Sequence, residues 1–339
     1  MIGIALLGAG FIADYHLGGL KGVPEAAVRV IASRTPERAA DLARRFGVPE
    51  ATSDVAAAIR RPDVDAVLIT TPDDSHEALA IEALSAGRSV LLQKPMATDS
   101  TACRRILDVA ARTGCDLQVS YMHRHFEEVV AARGLLREGA VGTVTTVRQR
   151  NATPGPDWGD WFFRKDRVGG GVVLQLGIHG IDLVEYLFGQ IVAVSARTAT
   201  LVPQRTLRDG RIVAVENADT AFAVYELESG PLVHHEMSMI EAAGTDRFRM
   251  EIYGTQGSLW LRTERGLLAG STIGGTGWTV TDLPQALPGH RQHREWIDGL
   301  LGRIPPPSTG LAGLRSLLVA EAVARSADAG GARAIVESP

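Results

Sequence analysis

Apolar residues cluster in short runs at 2–7, 28–32, 66–69, 89–92 and 116–119, and between these runs lie the helical patterns 36–46, 54–60, 75–85 and 100–113. Short, largely apolar runs suit strands buried on both faces, whereas apolar residues recurring every three or four positions suit amphipathic helices. Thr35-Pro36 reads as an N-cap followed by proline at the first helical position, and Gly47, Gly87 and Gly114 read as helix stops. Strand and helix in strict alternation predict a parallel sheet covered by helices on both sides.

The rhythm changes after Gly142. Strand-like segments now follow one another at 143–149, 191–199, 212–226, 232–239, 248–253 and 258–261, and many alternate apolar and polar residues. That alternation belongs to antiparallel strands with one solvated face. Gly254-Thr255-Gln256-Gly257 reads as a hairpin turn, 270–277 as a glycine-rich loop, 304–307 as a proline stop and 311–328 as a last helix. The expected organisation is therefore a first domain over 1–121 and a second, α+β domain over 122–339, with the last helix packing back on the first domain.

Composition narrows the function. A chain of 339 residues suits two domains, and 45% hydrophobic with 22% charged residues is ordinary for a globular protein. The net charge of −4 and the scattered arginines give no footprint for nucleic acid. Cys103 and Cys115 alone build neither a disulfide scaffold nor a metal cluster, so no metal is expected. The run at 2–7 stops in a glycine turn with no basic segment ahead of it, so no secretory leader is expected. No run approaches the ~20 apolar residues that span a bilayer. A cytoplasmic protein without a membrane partner is the expectation.

The first chemistry lies at that turn. Ile4-Ala5-Leu6-Leu7-Gly8-Ala9-Gly10-Phe11-Ile12-Ala13 reads as a strand, a tight turn and a helix start. Gly8 permits the turn, Gly10 lets the backbone approach a pyrophosphate, and Ala13 is small where helix and strand pack closely. The helix start at Phe11 and Ile12 offers free N–H groups to an anion. A plain glycine turn is the bland alternative, but a place at the head of a βαβ series favours a dinucleotide. NAD sites put an acid at the end of the second strand, where it binds the ribose 2′-hydroxyl. Here that strand ends in Ser33-Arg34-Thr35, with Arg38 a turn later. Two guanidiniums in place of an acid favour a 2′-phosphate, so NADP is expected in preference to NAD unless both arginines are merely solvated.

GAGFIA (8–13), TTPDDSH (70–76), QKP (93–95), YMHR (121–124), GGGVVLQLGIHGID (169–182) and SLLVAEAVARSA (316–327) occur in that order. With this set the chain resembles the Gfo/Idh/MocA family of sugar and cyclitol oxidoreductases over nearly its whole length. The resemblance implies an N-terminal Rossmann domain with a parallel sheet. It also implies a C-terminal α+β domain with an open, mostly antiparallel sheet that covers the nicotinamide and often makes oligomer contacts. Lys94 matches a lysine that bonds the reacting hydroxyl and stabilises a developing alkoxide. Pro95 matches a proline that is often cis. His179 matches the general acid/base, a role that suits a side chain with a pKa near neutrality. The resemblance also implies that Thr71, Pro72, His76 and Gln93 border the cofactor.

Two positions depart from the family pattern: Gln93 stands for glutamate, and Gln175 stands for an aspartate one turn before His179. Gln175 still orients a hydroxyl or the imidazole, but it cannot stabilise an imidazolium by charge. Arg124 either binds substrate oxygens or makes an interdomain ion pair. Asp182 either meets substrate or pairs with His179 at i,i+3. Trp161 and Arg164, in the insertion 156–164, suit a sugar pocket or else a tryptophan-anchored loop.

The expected activity is hydride transfer between a nicotinamide and a carbinol carbon of a sugar, cyclitol or derivative. Gln93 and Gln175 keep a non-catalytic cofactor-binding sensor as an alternative, and the family also holds cofactor-assisted glycosidases. Apolar residues in the second domain's strands, Phe222, Val224, Tyr225, Val233 and Met237, predict a covered sheet face and hence a homo-dimer or homo-tetramer.

Overall fold

The computed structural model describes all residues except 244–246, 264, 285 and 306–309. The chain runs β1 (Ile2–Leu7), α1 (Phe11–Leu20), β2 (Ala26–Ala32), α2 (Pro36–Phe46), β3 (Glu50–Thr52), α3 (Val55–Arg60), β4 (Ala66–Ile69), α4 (His76–Ser85), β5 (Ser89–Gln93), α5 (Ser100–Thr113) and β6 (Leu117–Ser120). It continues through α6 (Glu127–Arg137), β7 (Val144–Ala152), α7 (Ile178–Phe188), β8 (Ile191–Ala199), β9 (Gln204–Thr206), β10 (Ile212–Ala214), β11 (Thr220–Leu227), β12 (Leu232–Ser238), β13 (Phe248–Gly254), β14 (Gly257–Arg262), β15 (Leu267–Thr272) and β16 (Thr279–Thr281). Then follow α8 (His290–Leu300), α9 (Gly310–Asp328) and β17 (Ala334–Ile335). Two compact units divide the chain: Met1–Met122 with Ala286–Leu314, and His123–Gln285 with Arg315–Pro339.

The first unit holds a six-stranded sheet in the order β3-β2-β1-β4-β5-β6, with every pair parallel. β1 and β4 are buried almost throughout, as strands covered on both faces must be. Ile4, Leu6, Ile31, Leu68 and Leu91 pack with Ala13 and Leu17 of α1 and with Trp296 and Ile297 of α8. Each such large side chain contributes about 1.5–3 kcal/mol on burial. Asp54 and Asp99 cap α3 and α5 by accepting from the N–H groups of Ala57 and Ala102. Thr35 occupies the N-cap of α2 ahead of Pro36, but its side chain makes no capping bond. Gly47 and Gly114 close α2 and α5 with φ of 71° and 69°.

The second unit holds a nine-stranded sheet in the order β16-β15-β14-β13-β7-β12-β11-β8-β17. Only the β7–β12 pair in it is parallel among the described residues. The alternation seen in the sequence is real. In β11 and β12, Ala221, Ala223, Tyr225, Val233 and Met237 are buried, while Phe222 and Val224 are 48% and 41% exposed. The five residues taken together for a covered face therefore lie on two faces. Tyr225, Val233 and Met237 belong to the interior, and only Phe222 and Val224 face outward.

Helix α7 presses on the inner face of this sheet through glycines. A Cβ at Gly177 would lie 2.3 Å from Met237 Sδ, and one at Gly180 would lie 2.3 Å from Asn151 Oδ1. Beneath Gly180 runs a buried polar chain. Tyr225 Oη donates to His235 Nδ1 at 2.8 Å, and His235 Nε2 donates to Asn151 Oδ1 at 2.6 Å.

Several expected boundaries moved. The strand expected over 212–226 is two strands, broken where Asn217 donates to Val168 O and Asp219 accepts from the N–H groups of Leu201 and Val202. Short polar side chains that satisfy backbone groups locally compete with the ladder. The loop expected over 270–277 begins inside β15, because Gly270 pairs with both Leu259 and Thr279. Helices α6 and α8 and the short strands β3, β9, β16 and β17 had no place in the sequence reading. Of the proline stop at 304–307, Pro306 and Pro307 lie outside the described residues.

The buried His235 makes stability pH-dependent. Burial, with a smaller effect from His234, lowers its pKa to about 3. An unfolded chain carries an ordinary imidazole that takes up a proton below about pH 6.5. The contribution of neutral His235 is thus whole above that pH and is lost as pH falls towards its folded value. Between about pH 7 and pH 5 this one residue is expected to remove roughly 2 kcal/mol of stability. Urea melts at the two pH values check it, and His235→Leu is expected to shrink the difference by that amount.

Candidate active site

Parallel pairing brings the carboxyl ends of all six strands of the first unit to one edge. The strand order reverses between β1 and β4, the place where open α/β sheets bind ligands. The turn after β1 is tied across this switch point, since Thr70 Oγ1 donates to Leu7 O and Gly8 O at 3.1 and 2.9 Å.

The two glycines of the turn have different causes. Gly8 has φ of 103°, and an added Cβ would lie 2.8 Å from the Thr70 backbone, so the fold itself demands glycine there. Gly10 caps α1 with φ of −94°, and an added Cβ would meet no atom within 4 Å. Nothing in the protein requires glycine at this position. Open space at a helix N-terminus after a parallel strand is where a pyrophosphate can approach the backbone. Ala13 is fully buried, Ile12 is half-buried and Phe11 is 80% exposed at the helix start. A cleft of about 480 Å³ opens here, lined among others by Gly10, Phe11, Asp14, Glu37, Arg38 and Arg45.

Arg38 thus faces the cleft, whereas Arg34 is exposed and does not line it. Ser33 Oγ accepts the N–H of Thr35 and shapes the end of β2. Arg45 is paired with Asp14, and Arg44 with Asp41. Arg38 has no ion pair among the described residues. Glu37, which the strand-end reading did not weigh, lines the same cleft.

The loops after β4 and β5 are joined by His76, which is fully buried. Its Nδ1 lies 2.8 Å from Pro95 O and its Nε2 lies 2.9 Å from Thr71 O. Pro72 leads into the short 3₁₀ turn that ends at His76. The Lys94–Pro95 bond is cis. Lys94 is half-buried, and its N–H donates to Gln93 Oε1 at 2.8 Å.

In the second unit, the run before His179 departs from a regular α-helix. Val173–Gly177, with Gln175 at its centre, forms a π-helical turn that leads into α7. The turn that separates Gln175 from His179 is therefore wider than the α-helical turn expected, a distortion that recurs at functional sites. Gly171 opens the run at φ of 50°, where a Cβ would lie 2.4 Å from Ala218 O. Gln175 is half-buried in a run otherwise buried. The ring of His179 stacks on His123 at 4.3 Å and 10°. His123 sits between the tyrosine and arginine of YMHR, yet sequence reasoning gave it no role.

Asp182 is buried, and its carboxylate receives Arg124 Nε at 2.8 Å and Nη2 at 2.5 Å. Burial raises its pKa, against the opposing pull of Arg124. Both residues belong to the second unit, so the pair is internal to it. Breaking such a buried pair costs about 3–5 kcal/mol. Trp161 stacks on Phe162 within the insertion at 3.6 Å, and exposed Arg164 pairs with Asp166 just after it at 2.7 Å. Among the described residues no cluster of potential metal ligands occurs, and no helix is long and apolar enough to cross a membrane.

Comparison with known proteins gives this geometry its relatives. Residues 2–121 match the oxidoreductase family with an NAD-binding Rossmann fold, and residues 129–260 match the GFO/IDH/MocA C-terminal domain. An inositol 2-dehydrogenase of Saccharopolyspora erythraea is 31% identical over 76% of this chain and 72% of its own length. A levoglucosan dehydrogenase of Pseudarthrobacter phenanthrenivorans is 28% identical over 78% of this chain and 74% of its own. A structure of levoglucosan dehydrogenase with NADH and L-sorbose superposes with a TM-score of 0.91, at 24% identity and 99% coverage of both chains.

The two glycines separate cofactor binding from folding. Gly10→Ala is expected to leave stability within about 0.5 kcal/mol of the parent while weakening NADH binding by roughly tenfold or more. Gly8→Ala is expected to cost about 1–3 kcal/mol in stability. Urea melts and a fluorescence titration with NADH read the two effects.

Proposed function

This chain belongs to the Gfo/Idh/MocA family of oxidoreductases, with an NAD-binding Rossmann domain, and from that premise we propose that it oxidises a carbinol carbon of a sugar or cyclitol. The observation that carries the reading is Gly10, where open space faces the start of α1 beside the switch point of the sheet. The bound dinucleotide supplies the hydride acceptor. Lys94 bonds the substrate hydroxyl and holds the negative charge that builds on its oxygen. His179 takes the hydroxyl proton, and its buried stack on His123 restrains the ring. Gln175 orients the substrate by hydrogen bonds and adds no charge. The dehydrogenases of levoglucosan and of inositol among the relatives support this substrate class. Arg124 and Asp182 act by holding α7 in place, and Trp161 and Arg164 offer a stacking face and a cation to substrate.

The NADP preference rests on Arg38, which carries its charge into the cleft without an ion pair among the described residues. Glu37 in the same cleft opposes it. A charge-assisted bond to a phosphate is worth about 1.5–3 kcal/mol, so NADPH is expected to bind at least roughly tenfold more tightly than NADH. Ser33→Asp reverses the order. Equal affinities would refute the preference and leave the reaction class standing. The outward Phe222 and Val224 support a homo-dimer or tetramer, which light scattering tests. Cys103 and Cys115, neither of them in a disulfide, suit a reducing cytoplasm.

Assay with levoglucosan, inositols and aldoses tests the reaction. Turnover is expected with at least one of them, and Lys94→Ala and His179→Ala are each expected to lower kcat by about 10²-fold or more. Absence of hydride transfer across the panel would sink the proposal.

A further inference from the structure

The position where the chain departs from its family's glutamate, Gln93, is the end of a chain of hydrogen bonds whose direction is fixed throughout. The Gly289 carbonyl only accepts, so His293 Nδ1 donates to it at 2.6 Å. In a neutral ring, His293 Nε2 then has a lone pair and accepts from His16 Nδ1 at 2.8 Å. His16 Nε2 accepts in turn and faces Gln93 Nε2 at 3.4 Å. The other amide atom, Gln93 Oε1, accepts the backbone N–H of Lys94 at 2.8 Å. Four links thus run from α8 through α1 and the end of β5 to Lys94, all within the first unit.

Both imidazoles are fully buried, and their rings meet edge to face at 5.0 Å. Burial first, and the neighbouring His293 second, hold the pKa of His16 well below its ordinary value. The titratable groups against His16 are His293 from α8, Tyr15 beside it on α1 at 5.3 Å between rings, and Lys94 beyond Gln93. The helices are shaped to seat the pair. A Cβ at Gly19 would lie 2.4 Å from His293 Nδ1, and Gly289 has φ of 79°.

We propose that His16, His293 and Gln93 are positioning residues for Lys94, and that Gln93 is the partner a neutral His16 requires. A carboxylate at this position has no proton to give. Facing His16 Nε2, it would set two acceptors against each other until a proton enters between them, and that proton makes His16 an imidazolium that donates from both nitrogens. Glutamine keeps the relay uncharged and so uncouples the placement of Lys94 from protonation in the interior. The inference rests on the role proposed above for Lys94, but the state of the two rings does not.

Nitrogen-15 spectra of histidine-labelled enzyme read the rings directly. In the parent, His16 and His293 are both expected as neutral, Nδ1-protonated tautomers from about pH 6 to pH 8. In Gln93→Glu, His16 is expected as imidazolium at neutral pH, and the pH profile of kcat is expected to gain an alkaline limb of roughly tenfold that the parent lacks. Adding His16→Gln to Gln93→Glu removes the titrating group and should abolish the limb. A parent spectrum with His16 protonated on Nε2, or a Gln93→Glu profile parallel to the parent, overturns the proposal. Should Gln93→Glu fail to fold, the parent spectrum alone decides. Full turnover by Lys94→Ala would refute the proposed function and leave the ring assignments intact.

Discussion

Parallel pairing of β1 with β4 is the contact on which the first unit's chemistry depends. Leu7 pairs with Ile69 at the last rung, so Gly8 and Thr70 leave the sheet side by side. Thr70 then bonds back to Leu7 and Gly8, and no side chain fits at Gly8. With that turn fixed, the N-terminus of α1 points across the strand ends, and Gly10 lies open to a ligand. An antiparallel neighbour would bring a strand's amino end to the same edge and scatter these loops.

Much of this was legible in the sequence. Five of the first unit's six strands and most of its helices announced themselves through apolar runs and glycine stops, because a sheet buried on both faces leaves little choice of residue. The glycine turn was legible through motif order, and the roles proposed for Lys94 and His179 rest on the same order. Other features were not. The π turn around Gln175 lies between Gly171 and Gly177, which close on Ala218 and Met237 far along the chain. The pairing of Asp182 with Arg124, rather than with its helix neighbour His179, joins residues 58 positions apart. The five apolar residues assigned to one sheet face lie on two, a misreading that strict period-two counting along β11 and β12 avoids. Helix α8 carries His293 and Gln292, and its pattern of charges hid how much of it is buried.

Both units hide neutral histidines in polar chains that end on fixed acceptors. In the second unit Tyr225, His235 and Asn151 lie under α7; in the first, Gln93, His16 and His293 lie between α1 and α8. A buried imidazole is tolerable when one nitrogen finds a donor and the other an acceptor, since neither then loses the bonds that water gave it. Each ring also excludes alternative packings, because a shifted helix would leave a polar atom stranded.

The first unit is discontinuous: residues 286–314 complete it after every strand of the second sheet but β17 has been made. Trp296 and Ile297 of that late segment are fully buried against strands and helices formed from the first hundred residues. During synthesis the nascent N-terminal sheet therefore emerges from the ribosome with one flank bare, and it stays so while more than 160 further residues are translated. That interval is a window for capture by chaperones, and it means that a gene fragment ending near Met122 encodes an incomplete domain.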